Sequence, residues 1–586
     1  MGVLKRARQH VEEAIKEKKN FRVLGPSPVI RSVLQAWGWV EKKFSSTVRV
    51  GPRLGQQQDP RKLPAEEDEE DGGVEQNQAA LGPEPGAASC WVQPTVEMLE
   101  EEAGEEDLWD DEDHDGIHDI MSFTVRDQMP TFIWTSQCED VNFRLLQDHQ
   151  GVNHFNGVRA FTTKVELCIN LQNQSGFHQA DPTTFFPRCY RLHVKDECQG
   201  FIEDFRLTAA PSLLKLAVEK AVDMPGVMKR PSNGADECRQ QPCPSAHVTL
   251  AGSAPRLPPE LLEAALQICR VQLDRMEHKD IDRESPLLYV TDAHWDWILQ
   301  EQYRVVREQV RLAPSIRHWK QCRALLQQLQ AWLPQLHMEG IHNLWIIKPR
   351  AQSCSRGITC SVQLEEVLEL AGKYLAPLLQ PGQWVVQKYV ELSLTIPGTK
   401  FDLRQWFLVS DWSPLTVWFY RDSYVHFCCQ PFSMHRLHCS QHLCNVIIQK
   451  RWRLAGGWHP KLPCDLIWSS QQFQLYLQQA GHAEAWDKLI LPSMKELVVA
   501  ALHSARELVE EHRGSFKLYG ADFVFGENCQ PWLQEINTNP SLEPCSAVTP
   551  WLCAAVLRDT LRMVWEHKEN SVCSTSAFDL IYKEVG

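Results

Sequence analysis

The 586-residue sequence predicts a mixed α+β protein built from several subdomains. Three observations carry that expectation. Apolar residues recur at helical spacing through the opening and middle of the chain, they alternate at strand spacing through much of the C-terminal half, and two long polar or proline-rich stretches separate these regions. One hydrophobic core rarely serves so long a chain, so two or three packed subdomains joined by linkers are expected. Hydrophobic residues make up 43% of the sequence and tryptophans number 21, enough to fill sizeable cores despite 35 prolines.

In chain order, residues 1–50 read as a small α/β segment: an amphipathic helix to about Lys19, a strand at Phe21–Leu24, and a helix near Val29–Trp37 that Gly38 and Trp39 end. Residues 51–116 are rich in Gln, Glu, Pro and Gly, with acidic blocks at Glu66–Asp71 and Glu100–Asp113, and are expected to be a disordered linker. The N-terminal subdomain resumes over 117–223, with a strand at Thr131–Trp134 and short polar elements through Phe161–Lys164 and Phe185–Arg188. A Pro/Ser/Cys-rich linker spans 224–257. Helical spacing dominates the connecting region 258–340, over Glu260–Arg275, Trp295–Val310 and Gln321–Trp332. From 341 to 570 strands and turns run from Asn343 to Phe427, helices lie around Ser470–Gln479 and Leu489–His512, and a hairpin covers Tyr519–Asn537, leaving 571–586 as a C-terminal segment.

The formal charge of −15 is unevenly placed. Between Asp59 and Asp119 stand 22 acidic residues against Arg61 and Lys62, so this stretch carries −20 and the remainder +5. The part expected to fold is therefore mildly basic, suited to steering an acidic peptide. Twenty cysteines in so long a chain, with no apolar signal segment before them, are expected to be reduced thiols. The mixed charge of Met1–Lys19 disfavours a targeting peptide, and no run approaches the roughly 18 apolar residues of a membrane span. Neither a nucleic-acid partner nor a membrane span is expected.

The most informative stretch runs from Tyr519 through Asp522 to a turn at Gly526–Asn528, and on through Glu535 to Asn537. Centring that turn between Asn528 and Cys529 puts Asp522 opposite Glu535. Strand alternation then places Asp522, Glu535 and Asn537 on one face and Phe523, Phe525 and Ile536 on the other. Two carboxylates and an amide are the oxygen ligands that hard Mg²⁺ ions accept from proteins. A second pattern, Lys400, Asp402 and Arg404 with apolar residues between, forms one polar strand face able to hold phosphates or carboxylates. The turn Ser410–Pro414 returns the chain toward Arg421. Apolar strands ending at Lys348 and at Gln387, Lys388, Tyr389 and Val390 provide a slot for a base with lysines near the phosphates. Neither a Walker A nor a G-x-G-x-x-G motif is present, and no Ser/His/Asp or Cys/His triad stands out. His435, His438, Cys439, His442 and Cys444 have the side chains of a zinc site without its paired spacing.

Taken together, these residues resemble the tubulin–tyrosine-ligase-like family, most closely its tubulin monoglycylase branch. The resemblance covers Pro28–Arg31 with Gly38–Lys43, Phe161–Lys164, Phe186–Tyr190 and nearly everything from Asn343 to Glu584. It implies an ATP-grasp-like fold, with nucleotide held between two sheet-containing subdomains and an N-terminal subdomain on the substrate side. By motif, Lys348, Cys354, Ser355, Gln387, Lys388, Tyr389, Val390, Lys400, Phe401, Asp402 and Asn445 would surround ATP, and Asp522, Glu535 and Asn537 would hold two Mg²⁺ ions. Arg404 and Arg421 would be catalytic, and Lys164, Cys354 and Arg404 would meet substrate carboxylates.

The implied reaction joins glycine to glutamate side chains in the acidic C-terminal tails of α- or β-tubulin through an acylphosphate. The implied setting is cytoplasmic, on microtubules of the cytoskeleton and of the cilium or flagellum axoneme. One departure stands out. Relatives carry K-P-G-A-K-S-R-G-R-G-I after the strand lysine, whereas this chain has Arg350, Cys354 and Ser355 in that loop and keeps only Gly357. A catalytically impaired tubulin-binding member, or a glutamate ligase of the same architecture, are the alternative readings.

Overall fold

A computed structural model describes residues 2–43, 116–173, 181–220, 258–278, 290–308, 315–349, 357–373, 384–452, 459–542, 546–569 and 574–585. The expected linkers at 51–116 and 224–257 lie almost wholly outside them, as do Cys354 and Ser355.

The N-terminal subdomain is a four-stranded parallel sheet of β1 (Asn20–Leu24), β2 (Val40–Glu41), β3 (Phe132–Thr135) and β4 (Gly151–Val152), in the order β2-β1-β3-β4. A parallel pair needs a crossover, which the Pro28–Ala36 helix supplies. Proline opens that helix, where no backbone N–H is required. Ile30, Val33 and Leu34 form its buried face, and Gly38, at φ +81°, takes the left-handed turn beyond its end.

The second sheet is antiparallel, with β5 (Cys189–Arg191), β6 (Trp345–Pro349), β7 (Thr359–Ser361) and β8 (Trp384–Lys388) in the order β5-β8-β6-β7. Residues 117–223, expected as one N-terminal continuation, are thereby divided. Cys189–Arg191 pairs with β8, and the long Lys195–Lys220 helix packs Phe201 and Phe205 against Trp345 of the second sheet. The same helix shares a core with Pro259–Met276, Asp292–Glu308 and Ile316–Trp332.

The third sheet carries β9 (Thr395–Ile396), β10 (Thr399–Trp412), β11 (Leu415–Phe427), β12 (Ile467–Ser469), β13 (Lys517–Phe525), β14 (Pro531–Asn537) and β15 (Phe578–Lys583). Its path is β12-β11-β10-β13-β14, with β15 on β11 and β9 on β10. The C-terminal segment therefore completes this sheet rather than standing apart. On β10 the odd positions Phe401, Leu403, Phe407 and Val409 enter one core with Met494 and Leu497 of the Leu491–Ser504 helix. The even positions change character along the strand: Lys400, Asp402 and Arg404 line a cleft, whereas Trp406 and Leu408 pack against the N-terminal sheet and the Thr549–Glu569 helix. That change marks where packing ends and the cleft begins.

Candidate active site

A cleft of about 630 Å³ opens where the second and third sheets face one another. The β13–β14 ladder pairs Asp522 with Glu535 and Gly520 with Asn537, and a bulge at Gln534 follows toward the turn. Asn537 Nδ2 lies 3.0 Å from Asp522 Oδ2 and 3.4 Å from Glu535 Oε1. Arg404, opposite Asp522 on β10, grips that carboxylate with two donors, Nη2 reaching Oδ2 at 2.9 Å. Burial raises the Asp522 carboxyl to about 6, against the pull of Arg404 and with a further push from Glu535.

Cations converge on Glu535 from two other elements. Lys164, at the start of the Lys164–Asn173 helix, places Nζ 2.9 Å from Glu535 Oε2. Burial alone would raise Glu535, but Lys164 and Lys348 together hold it down at about 2. Lys348, buried at the end of β6, donates to Gln387 Oε1 at 2.7 Å. Its own burial lowers it to about 8, partly offset by Glu535. Lys400 Nζ sits 2.7 Å from Asp402 Oδ1. Tyr389 bonds to His442 Nδ1 at 2.9 Å, and Lys388, although at the cleft wall, spends its ammonium on Glu391 at 2.6 Å and the Leu344 carbonyl. Val390 and Asn445 also line the cleft.

Two of the expected site residues point elsewhere. The Phe401 side chain stacks on Phe525 and lies tilted against Phe427 in the core, because an odd position on β10 faces away from the cleft. Arg421 falls in a bulge, between the Gln405–Ser423 and Phe407–Phe419 pairs, and turns out to the C-terminal segment, where it pairs with Asp579 at 2.9 Å. The positions of β11 that face the cleft are Tyr424 and His426, opposite Arg404 and Asp402. His426 is kept neutral by burial and by the Arg404 cation, and its Nε2 is buried with no partner among the described residues. A count of alternation from Phe427 backwards would have found both.

Gly520 keeps the site open. A Cβ there would come within 2.9 Å of Arg404 Cδ and of Pro540 Cβ. Among the described residues the thiols depart from expectation once, in a disulfide that joins Cys168 to Cys189, which the packing of the Lys164–Asn173 helix brings beside β5. The His/Cys group around residues 435–444 does not converge: His442 serves Tyr389, Cys444 lies 3.4 Å from Cys428, and the described residues hold no cluster of three or more His, Cys, Asp or Glu side chains arranged for a metal. No described helix is long and apolar enough to cross a membrane.

Two sheet-bearing units closing on one polar cleft make this an ATP-grasp-like α+β fold. A model described as the tubulin-tyrosine ligase family matches residues 291–572. The chain is 42% identical to tubulin monoglycylase TTLL3 of Mus musculus, over 100% of this chain and 61% of that protein. It is 39% identical to the Danio rerio protein of the same name, over 99% of this chain and 71% of that one. With protein monoglycylase TTLL8 of Homo sapiens it shares 38% identity over 99% of its own length and 64% of the relative's. The chain thus spans 61% of the length of the mouse relative. It belongs to the tubulin-tyrosine ligase family.

Proposed function

We propose that this chain is an ATP- and Mg²⁺-dependent ligase that attaches glycine to glutamate side chains of tubulin, starting new branches on the acidic C-terminal tails of α- or β-tubulin. The observation that carries the reading is the meeting, in one cleft, of the Lys400/Asp402/Arg404 face of β10 with Asp522, Glu535 and Asn537. The names of the relatives point to the amino acid and the acceptor. Such a substrate locates the protein in the cytoplasm on microtubules, including those of a cilium or flagellum axoneme.

The donor set fits magnesium: two carboxylates, each within 3.4 Å of the Asn537 amide, with room beside them for phosphate and water. Asp522, Glu535 and Asn537 would hold it, and when bound it neutralises phosphate charge. Lys348 and Lys400 bind phosphate oxygens. The acceptor carboxylate attacks the γ-phosphorus, and the bond to the departing ADP breaks. The glycine amine then attacks the acyl carbon, the carbon–oxygen bond to phosphate breaks, and an amide, phosphate and a proton result. Lys164 and Arg404 hold the carboxylates in line, which is the larger part of such catalysis.

Purified protein incubated with tubulin, Mg-ATP and labelled glycine or glutamate in parallel is expected to incorporate glycine above a Glu535→Gln control. Label from neither amino acid, with tubulin still bound, would overturn the reading in favour of a non-catalytic tubulin-binding member. Label from glutamate alone would overturn the choice of amino acid.

Three further results are expected. Nucleotide affinity holds below pH 8 and weakens as pH rises through about 8, because Lys348 then loses its proton in the free protein. A pH series of ATP binding checks this, and Lys348→Arg, always charged, flattens it. Gly520→Ala lowers glycine incorporation by on the order of a hundred-fold by displacing Arg404. Steady-state rates beside thermal melting measure that loss. Arg421→Ala leaves the rate within about two-fold, since an exposed ion pair with Asp579 contributes little.

A further inference from the structure

The segment Asn537–Asn539, leaving the end of β14, lines two spaces. Asn537, Thr538 and Asn539 border the cleft, and Thr538 and Asn539 also border a second cavity of about 1260 Å³. That cavity lies between the start of the Pro28–Ala36 helix, the end of β3 and the Thr549–Glu569 helix. Trp134, Leu542 and Trp551 give it apolar walls. Among the described residues its lining holds three cations, Arg31, Lys517 and Arg558, and no aspartate or glutamate.

Lys517 is the unusual member. Only 4% of its surface is exposed, and its partners are uncharged. Nζ donates to Asn539 Oδ1 at 2.7 Å and to the His154 ring, whose Nδ1 lies 3.3 Å away. His154 Nε2 faces the Thr135 carbonyl at 2.9 Å, so that nitrogen carries the hydrogen and Nδ1 is free to accept. Burial and the Lys517 cation keep the imidazole neutral. An ammonium has three N–H donors, and among the described residues these two partners leave one of them over. No carboxylate of the described residues pairs with it, although a buried ammonium without a counter-charge is costly. Arg31, by contrast, is already tied to Glu41 at 2.9 Å.

We propose that this cavity is a second acceptor subsite, where Lys517 takes a carboxylate of the acidic peptide a few residues from the glutamate that reacts in the cleft. The proposal rests on the acidic-acceptor reading above. It is favoured by the charges of the described lining, which are all cationic, and by the wall of Thr538 and Asn539 that the cavity shares with the cleft. Burial lowers the Lys517 ammonium to about 7, and its uncharged partners hold it in place, so an arriving carboxylate meets a fixed amine and draws it into the charged form.

The test uses the full chain and a short fluorescein-labelled Glu/Gly peptide, with binding followed by anisotropy without turnover and tubulin glycylation measured separately. Lys517→Met is expected to weaken peptide binding and raise KM for tubulin by roughly ten-fold or more, with kcat and ATP affinity within about two-fold. Unchanged peptide affinity in a folded Lys517→Met protein would overturn the subsite, as would equal binding of a Ser/Gly peptide. If that variant melts early, Arg558→Gln on the opposite, partly exposed wall replaces it, with a few-fold loss expected and no loss overturning the proposal. The two readings fail separately. Peptide binding that depends on Lys517 without glycine incorporation removes the ligase and leaves the subsite. Glycine incorporation with Lys517-independent binding does the reverse.

Discussion

Glu535→Gln is expected to reduce glycine incorporation roughly a hundred- to a thousand-fold while tubulin binding persists. The substitution keeps shape and removes one negative charge at the point where three elements converge. Lys164 loses its partner at 2.9 Å, and Lys348 loses the carboxylate that offsets its burial. The oxygen set beside Asp522 and Asn537 becomes one carboxylate and two amides, a weaker home for a hard cation. The loss should fall on kcat, with KM for tubulin little changed, and excess Mg²⁺ should restore part of it. A variant retaining more than about a tenth of the wild-type rate would show that Glu535 is not in the reacting set.

A stability consequence accompanies the change. The folded-state pKa of Glu535, about 2, lies below the ordinary carboxylate value of about 4.3. Its ion pairing therefore contributes fully above that ordinary value and is lost as pH falls from there toward 2. Acid unfolding of the variant should lack that component of the pH dependence.

How much of this was legible beforehand depends on whether a signal was local. A tight turn centred between Asn528 and Cys529 with strict alternation predicts the Asp522–Glu535 pair, and the structure reaches it by another route: the turn pairs Phe525 with Pro531, and the bulge at Gln534 then shifts Glu535 opposite Asp522. Lys400, Asp402 and Arg404 share a face for the same reason. Arg421 failed because a bulge in β11, fixed by pairing with both β10 and β15, resets alternation in a way that no local spacing reports. Phe401 enters with the motif that carries the resemblance, although alternation along β10 turns its side chain away from the cleft. The 26-residue Lys195–Lys220 helix was missed altogether. It is buried on several sides, from Phe201 and Phe205 to Leu213 and Leu214, so no polar stripe sets a helical period, and Pro211, a residue that argues against a helix interior, lies within it. Lys517 is silent in sequence, since its meaning comes from His154 and Asn539, brought beside it only by the fold.

Arg404→Met is expected to cost about 3–5 kcal/mol of stability as well as activity, because it leaves Asp522 buried without its cation. Both side chains are mostly enclosed, at 16% and 17% exposure, so solvent cannot take over the role of the guanidinium. Asp522 is already raised by burial and by Glu535, and without Arg404 it would take up a proton near neutrality. The stability loss should accordingly shrink in acid and grow in alkali, where the lone carboxylate must stay charged. Pairing the change with Asp522→Asn separates charge from shape. If the buried charge causes the loss, the double variant recovers at least half of it in urea melts while remaining inactive. If the lost packing of the arginine stem is responsible, Asp522→Asn adds its own cost and recovers nothing. Activity and stability part company there, because Arg404 neutralises Asp522 in the resting fold and is also needed to hold the acceptor carboxylate.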